Sequence, residues 1–310
     1  MADRLLEFEL EDADGTIYPL SPDTRYALEV SGLGMPPVRH WTTRSPYQSG
    51  RTHWGYAFQP RMVNLILVLW ACSREEFYER RAANVQMLNP ATGALVLRLR
   101  VGNSAEIYEL HDGWYQAGYE LEGSQQGLGA GGIWQQIGGA QIEFDDPIWK
   151  WVTSPLDVGE TRDAEGRTCI LDDTWTLVPA LVLPFTPPYL LGTTTGTNTL
   201  TCNNDGTWAT LPVITVEGPI NDFVISNDTN GDLLMWDGYI VAGGETITID
   251  IGGKTCTSDV AGDVSTYLSG DTGSFALDPG TNTVNVFASG GVVNGTTTIG
   301  ICWYVELLGL

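Results

Sequence analysis

Residues 60–100 constrain the fold most, because only there do a strand, a helix and a second strand follow one another with sharp boundaries. Residues 62–70, MVNLILVLW, form a near-continuous apolar run of strand length, as suits a sheet buried on both faces. Ser73 and Glu76 make an S-x-x-E capping box, in which the hydroxyl takes the amide of the third helical residue and the carboxylate reaches back to the cap amide. Phe77, Tyr78, Arg81, Ala82, Val85 and Leu88 then share one side of a 3.6-residue period, with Glu76, Glu79, Arg80 and Gln86 opposite. Asn89-Pro90 ends this helix, since the residue before a proline is pushed out of the α region. After Gly93, the residues Leu95, Leu97 and Leu99 alternate with Val96, Arg98 and Arg100, which predicts a strand with one buried face. No other segment reads convincingly as a helix.

The remainder reads as short strands. Residues 5–10 and 16–20 flank Asp12-Ala13-Asp14-Gly15, whose Asp-Gly ending is tight-hairpin chemistry. Residues 105–110, 114–121 and 140–144 are expected strands, and the glycine-rich residues 123–132 an expected loop. That loop matches G-x-G-x-x-G by letter, but neither a buried strand before it nor a helix after it supports a dinucleotide site. Residues 150–178 are polar and irregular. Four prolines within residues 178–188 make a stiff connector and place the division between domains 1–183 and 184–310. Beyond it Thr, Asn, Gly and Val dominate, and alternating segments recur at 213–217, 223–227, 233–236, 246–251, 283–288 and 297–304, the spacing of an antiparallel β-sandwich.

Charge narrows the function classes. Of a formal net charge of −23, the part up to Leu183 carries 14 Lys and Arg against 25 Asp and Glu, and the rest 1 against 13. That balance opposes a phosphate-binding surface for nucleic acid, although a surface past which DNA slides without sticking is well served by it. Cys72, Cys169, Cys202, Cys256 and Cys302 are odd in number and scattered, as are His40, His53 and His111, so neither a metal site nor a disulfide framework is expected and the thiols are read as reduced. The first residues lack the regions of a signal peptide, and no apolar run reaches the length of a membrane span, so no membrane insertion is expected.

Two groups stand out as candidate sites. Arg39, Trp41, Arg44, Tyr47, Arg51 and Trp54 lie in a stretch unusually basic and aromatic for this chain, a composition enriched at interface centres, and are read as a subunit-interface arm, with a self-packed loop as the bland alternative. Trp208, Trp236 and Tyr239 could stack on a sugar, against the commoner use of such rings in a core. No residues form a catalytic constellation. Asp145-Asp146 and Asp172-Asp173 are neighbours whose side chains diverge along a strand, and Asp228-x-Asn230-x-Asp232 departs from a calcium loop, reading as a turn. No cofactor is expected.

Laid out in order, these segments resemble the distal tail (Dit) proteins of long-tailed bacteriophages. The resemblance rests on the hairpin with Asp14-Gly15, the Arg61 strand leading into the capped helix, Leu88-Asn89-Pro90 with Gly93 and Leu95, and Asp146-Pro147-x-Trp149. Further on it rests on Pro212 through Gly218-Pro219, Ile225 through Gly231, Ala242 through Asp250, and Leu277 through Asn282. It implies a mainly β chain with one helix: an N-terminal ring-forming domain, sandwich-like or barrel-like, and a C-terminal galectin-like antiparallel β-sandwich. It also implies a non-enzymatic structural protein of the virion, assembled in the host cytoplasm, with six copies closing a ring at the end of the tail tube. Partners implied are further copies of itself, the tail tube protein, the tail-tip or baseplate hub protein and a receptor-binding protein, with DNA passing through the lumen unbound. The reading from another class is a carbohydrate-binding β-sandwich that recognises the host envelope.

Overall fold

The structure, a computed structural model, describes residues 6–20, 25–44, 51–101, 105–119, 134–157, 160–176, 196–288 and 296–309. The chain divides into two compact units, Met1–Thr153 together with Leu307–Leu310, and Ser154–Glu306. It is mainly β, with one α-helix among the described residues.

The first unit contains β1 (Leu6–Glu11), β2 (Ile17–Pro19), β3 (Arg25–Ser31), β4 (Val38–Thr43), β5 (Thr52–Phe58), β6 (Arg61–Ala71), α1 (Arg74–Met87), β7 (Leu95–Val101), β8 (Ile107–Ala117), β9 (Trp134–Phe144) and β10 (Trp149–Trp151). Its main sheet runs β2-β1-β7-β8-β9-β6-β3, all neighbours antiparallel, with β10 laid against β8. β6 forms over the apolar run and pairs with both β3 and β9, but its two faces differ. Val63, Leu65, Leu67 and Leu69 are buried, whereas Met62 is 37% exposed and Asn64, Ile66 and Trp70 are half-buried, so the burial expected on both faces is complete on one only. Leu95, Leu97 and Leu99 of β7 join Leu10, Leu110, Ile142, Phe144 and Trp149 in one core.

The helix keeps its cap and changes its face. Ser73 Oγ accepts the Glu76 amide at 3.1 Å, while the Glu76 carboxylate takes the amide of Cys72 at 3.0 Å rather than that of Ser73. The buried stripe is Phe77, Asn84, Met87 and Leu88, whereas Tyr78 and Val85, expected inward, are 39% and 50% exposed. Asn84 can take a core position because its amide donates to the Tyr119 hydroxyl at 3.0 Å. The strands expected at 105–110 and 114–121 are one strand, β8, because its first half pairs with β7 and its second with β9. Asp112, at φ 58°, absorbs the irregularity between them. Gly113 then lets the Phe144 ring lie across the strand, where a Cβ would also stand 2.9 Å from the Leu95 carbonyl.

Across β1, β7 and β8, Arg98 is held between two carboxylates, at 2.6 Å from Glu11 and 2.6 Å from Glu109, and Glu109 also meets His111 Nε2 at 3.0 Å. Burial pushes the Glu109 carboxyl up, but the bonds with His111 and Arg98 together outweigh it and hold the group below the usual carboxylate range. A depressed folded pKa contributes stability that is present above the unfolded value and lost as pH falls through the folded one. Urea titrations from pH 7 downward are therefore expected to show wild type losing more stability in the acid range than Glu109→Gln, which cannot titrate. Parallel curves for the two proteins would refute the assignment.

The second unit contains β11 (Glu160–Arg162), β12 (Thr168–Thr176), β13 (Gly196–Asn204), β14 (Val213–Glu217), β15 (Phe223–Asn227), β16 (Asp232–Trp236), β17 (Thr246–Asp250), β18 (Thr255–Ser258), β19 (Gly262–Asp263), β20 (Leu268–Gly270), β21 (Gly280–Ala288) and β22 (Thr296–Trp303). They form two antiparallel sheets, β11-β12-β22-β14-β17-β18-β19 and β13-β21-β15-β16-β20. Each buries one face: Ile214, Val216, Ile247, Ile249, Ile299 and Ile301 from the first, Phe223, Ile225, Leu234, Trp236, Val284 and Val286 from the second. β12, within a stretch the sequence reads as irregular, ladders onto β22 from Thr168↔Trp303 to Thr176↔Thr296. This pairing draws residues 160–176 into the second unit, whereas the sequence reading divides the chain after residue 183; residues 177–195 lie outside the described residues.

The same ladder corrects the cysteine reading. Cys169 and Cys302 face one another on β12 and β22, with Cα atoms 4.1 Å apart, and form a disulfide across 133 residues of chain. Their spacing in sequence could not announce this, since the strand pairing alone brings them together. Cys202 and Cys256 are free and buried, and Cys72 is free and exposed.

Three asparagines from the resemblance motifs and their surroundings, Asn204, Asn227 and Asn282, are fully buried. Asn204 donates to the carbonyls of Trp208 and Leu277 at 2.9 and 3.0 Å, Asn227 to that of Ala276 at 2.8 Å, and Asn282 to those of Asp278 and Gly280 at 2.7 and 3.0 Å. Buried loop carbonyls need such donors, so these residues fix turns rather than react. Asp228, Asn230 and Asp232 are likewise spent on Asn285, on the Asp232 amide and on the Ala276 amide, as a turn requires.

Candidate functional site: an aromatic hairpin

Of the arm residues, Arg39 and Trp41 lie on β4 and Trp54 on β5, with Arg44 and Arg51 just beyond the strand ends; β4 and β5 pair as a two-stranded hairpin and with no other strand among the described residues. Its register runs from Val38↔Phe58 to Thr43↔Thr52, with an irregularity at Trp41/Thr42. Arg39, Arg44 and Arg51 are exposed, and Trp41 and Trp54 are 48% and 73% exposed. Tyr47 lies outside the described residues. The Trp54 indole N–H donates to Thr43 Oγ1 at 2.6 Å, so this ring is fixed in place while its faces stay open. Tyr56, part of the same basic and aromatic stretch in the sequence but not among the six arm residues, is 51% exposed, and its ring lies 6.4 Å from His40 and 5.9 Å from Phe58. His40 and His53 meet edge-on at 5.5 Å. Isolated two-stranded hairpins are marginal in water, and exposed apolar clusters of this kind mark interaction surfaces.

The proposed sugar platform does not hold together at Trp236. That residue is 1% exposed, its ring stacks on Phe223 at 5.5 Å, and its N–H donates to the Tyr239 carbonyl at 2.9 Å. Both the ring and its polar edge are thus used inside the protein, leaving no face for a pyranose. Tyr239 is half-buried, with its hydroxyl donating to Glu245 at 2.6 Å; the same carboxylate group takes the Ala242 amide at 2.9 Å and the Ser258 hydroxyl. Trp208 is half-buried.

One group of metal-ligand type is brought together among the described residues, Asp163 with Cys169 and Cys302. The two sulfurs are bonded to each other, and the carboxylate is taken by Arg167 at 2.6 Å, so no ligand set remains.

Residues 205–299 match the siphovirus-type tail component, C-terminal domain. Over the whole chain the fold is similar to the crystal structure of the Dit protein of phage SPP1, described as a paradigm of hub adsorption apparatus in Gram-positive infecting phages. That match has 13% identity and a TM-score of 0.58, covering 95% of this chain and 98% of the other. The phage P2 baseplate in its activated conformation with calcium also aligns, at 10% identity and a TM-score of 0.44, over 96% and 97% of the two chains. No curated protein matches the chain.

Proposed function

We propose that this siphovirus-type tail component, a Dit-like structural protein of the phage tail, acts as a distal tail adaptor in which six copies close a ring between the tail tube and the tail tip or baseplate hub. The first unit forms the ring, and the second is a galectin-like sandwich carried as an accessory, available to a receptor-binding protein. DNA passes through the lumen without being bound, a role the net charge of −23 favours. The protein works in the virion, is assembled in the host cytoplasm, and acts by contact rather than by catalysis.

The observation that carries this reading is the hairpin of β4 and β5, whose tryptophans lie open in the single chain. Trp41, Trp54, Arg39, Arg44 and Arg51 supply the residue types that dominate interface energies, and a neighbouring copy would cover what the monomer leaves wet. Tyr47 belongs to the same arm by sequence. The carbohydrate-binding alternative loses its central ring to the core at Trp236.

Negative-stain electron microscopy and mass photometry of the purified protein test the proposal. Wild type is expected to form sixfold rings, and Trp41→Ala/Trp54→Ala to shift them to monomer with an unchanged circular dichroism spectrum, since both side chains are exposed. Monomers only, with no circular layer of this protein in the particle, would falsify the ring. Rings indifferent to the double substitution would remove the arm from it.

A further inference from the structure

We propose that the turn between β17 and β18 carries a small phosphate-binding site centred on Lys254. Lys254 is the single Lys or Arg beyond residue 183. The other lysine of the chain, Lys150, is paired with Asp146 at 3.0 Å, whereas no carboxylate pairs with Lys254 among the described residues.

The backbone supports that reading. Lys254 stands at φ 55°, left-handed, directly after Gly252-Gly253, where a third glycine would sit without steric cost. A long charged side chain kept in an unfavourable conformation points from the outlier to a function of the side chain. Its stem lies over Gly273, where an added Cβ would stand 3.6 Å from Lys254 Cε and 3.9 Å from Cδ. Lys254 lines a cavity of about 140 Å³ together with Thr255, Ser265 and Thr272, and Ile249, Cys256 and Leu268 supply an apolar part.

The acids of the adjoining turns do not fill this role. Asp250 takes the Gly253 amide at 2.8 Å, Asp263 the Ser265 amide at 3.0 Å, and Asp271 the Leu233 amide at 2.8 Å. These carboxylates keep their charge but are turned to backbone amides, and Lys254 is the cation that lines the cavity with the hydroxyl-bearing side chains. Lysine serves phosphate in this way, whereas a planar carboxylate is better matched by the fork of an arginine. The volume admits a phosphate group with a short carbon arm, which the apolar side would cover.

This site is independent of ring formation. The full-length protein is titrated with inorganic phosphate, glycerol 3-phosphate and acetate at constant ionic strength, following amide shifts by NMR. Saturable shifts are expected at residues 253–255, 265 and 272–273 with both phosphates, and weaker binding of acetate. Lys254→Gly relieves the backbone and preserves the fold, yet is expected to weaken phosphate binding about tenfold or more, the worth of one charged hydrogen bond. Absence of saturation, equal affinity in Lys254→Gly, or acetate binding as tightly as phosphate would each overturn the assignment.

Discussion

Arg61→Leu is expected to destabilise the first unit by about 4 kcal/mol, enough to lower its thermal midpoint by roughly 10 °C or more. Arg61 opens β6 and is 1% exposed, yet no carboxylate is bonded to it among the described residues. Its guanidinium instead donates to four backbone carbonyls: Pro147 at 2.8 Å, Gly32 at 3.1 Å, Leu308 at 3.1 Å, and Gly34. Burial brings the group down to about 10, partly offset by the charge of Asp146, so it remains cationic at neutral pH. The fixed fork of donors is what lets one side chain serve three separate stretches of chain. Trp149, fully buried, completes the arrangement: its ring lies 5.8 Å from the guanidinium carbon, and its N–H donates to the Leu33 carbonyl at 3.1 Å.

Leucine removes the charge and, with it, the donor to four part-buried carbonyl contacts, and each such bond that water does not replace costs about 1–3 kcal/mol. Arg61→Lys keeps a cation that cannot reach all four, and should fall between leucine and wild type. Arg100→Leu, on an exposed side chain of β7, should change stability by less than about 0.5 kcal/mol and serves as the control. Urea unfolding monitored by tryptophan fluorescence measures all three. A loss below about 1 kcal/mol for Arg61→Leu would mean that the loops hold their places without the guanidinium.

What the sequence discloses and what it hides differ in physical kind. The β6 run, the Ser73 cap, the Asp14-Gly15 turn and the alternation of β7 were all legible, because each depends on residues adjacent in the chain. Ile247, Ile249 and Ile251 are buried as their alternation predicts. Tyr78 and Val85 were placed inward and Asn84 was given no place, because an apolar-period argument cannot see that Tyr119 supplies the hydrogen bond that lets Asn84 be buried. β12 was missed because Thr168–Thr176 alternates weakly and becomes a strand through β22, far along the chain. Arg61 belonged to a resemblance motif, but its importance depends on carbonyls contributed by residues up to 247 positions away. The candidate arm was legible as composition. That it is a hairpin pairing with no other sheet among the described residues required the fold.

The second large effect is expected from the Cys169–Cys302 bond. Both cysteines belong to the second unit, and the loop they close, 133 residues in separation, spans most of it. Chain-entropy reasoning for a loop of that length gives about 5 kcal/mol relative to the open chain. Reduction is thus expected to lower the thermal midpoint of the second unit by more than about 10 °C while leaving the transition of the first unit in place. Cys169→Ala/Cys302→Ala separates the bond from the packing. It should resemble the reduced wild type and be indifferent to reductant, because β12 and β22 still pair through their backbones. Differential scanning calorimetry with and without a phosphine reductant reads both transitions. If the wild-type trace does not move, the two thiols are neighbours without being joined, and the unit's stability rests on the ladder and on its buried asparagines.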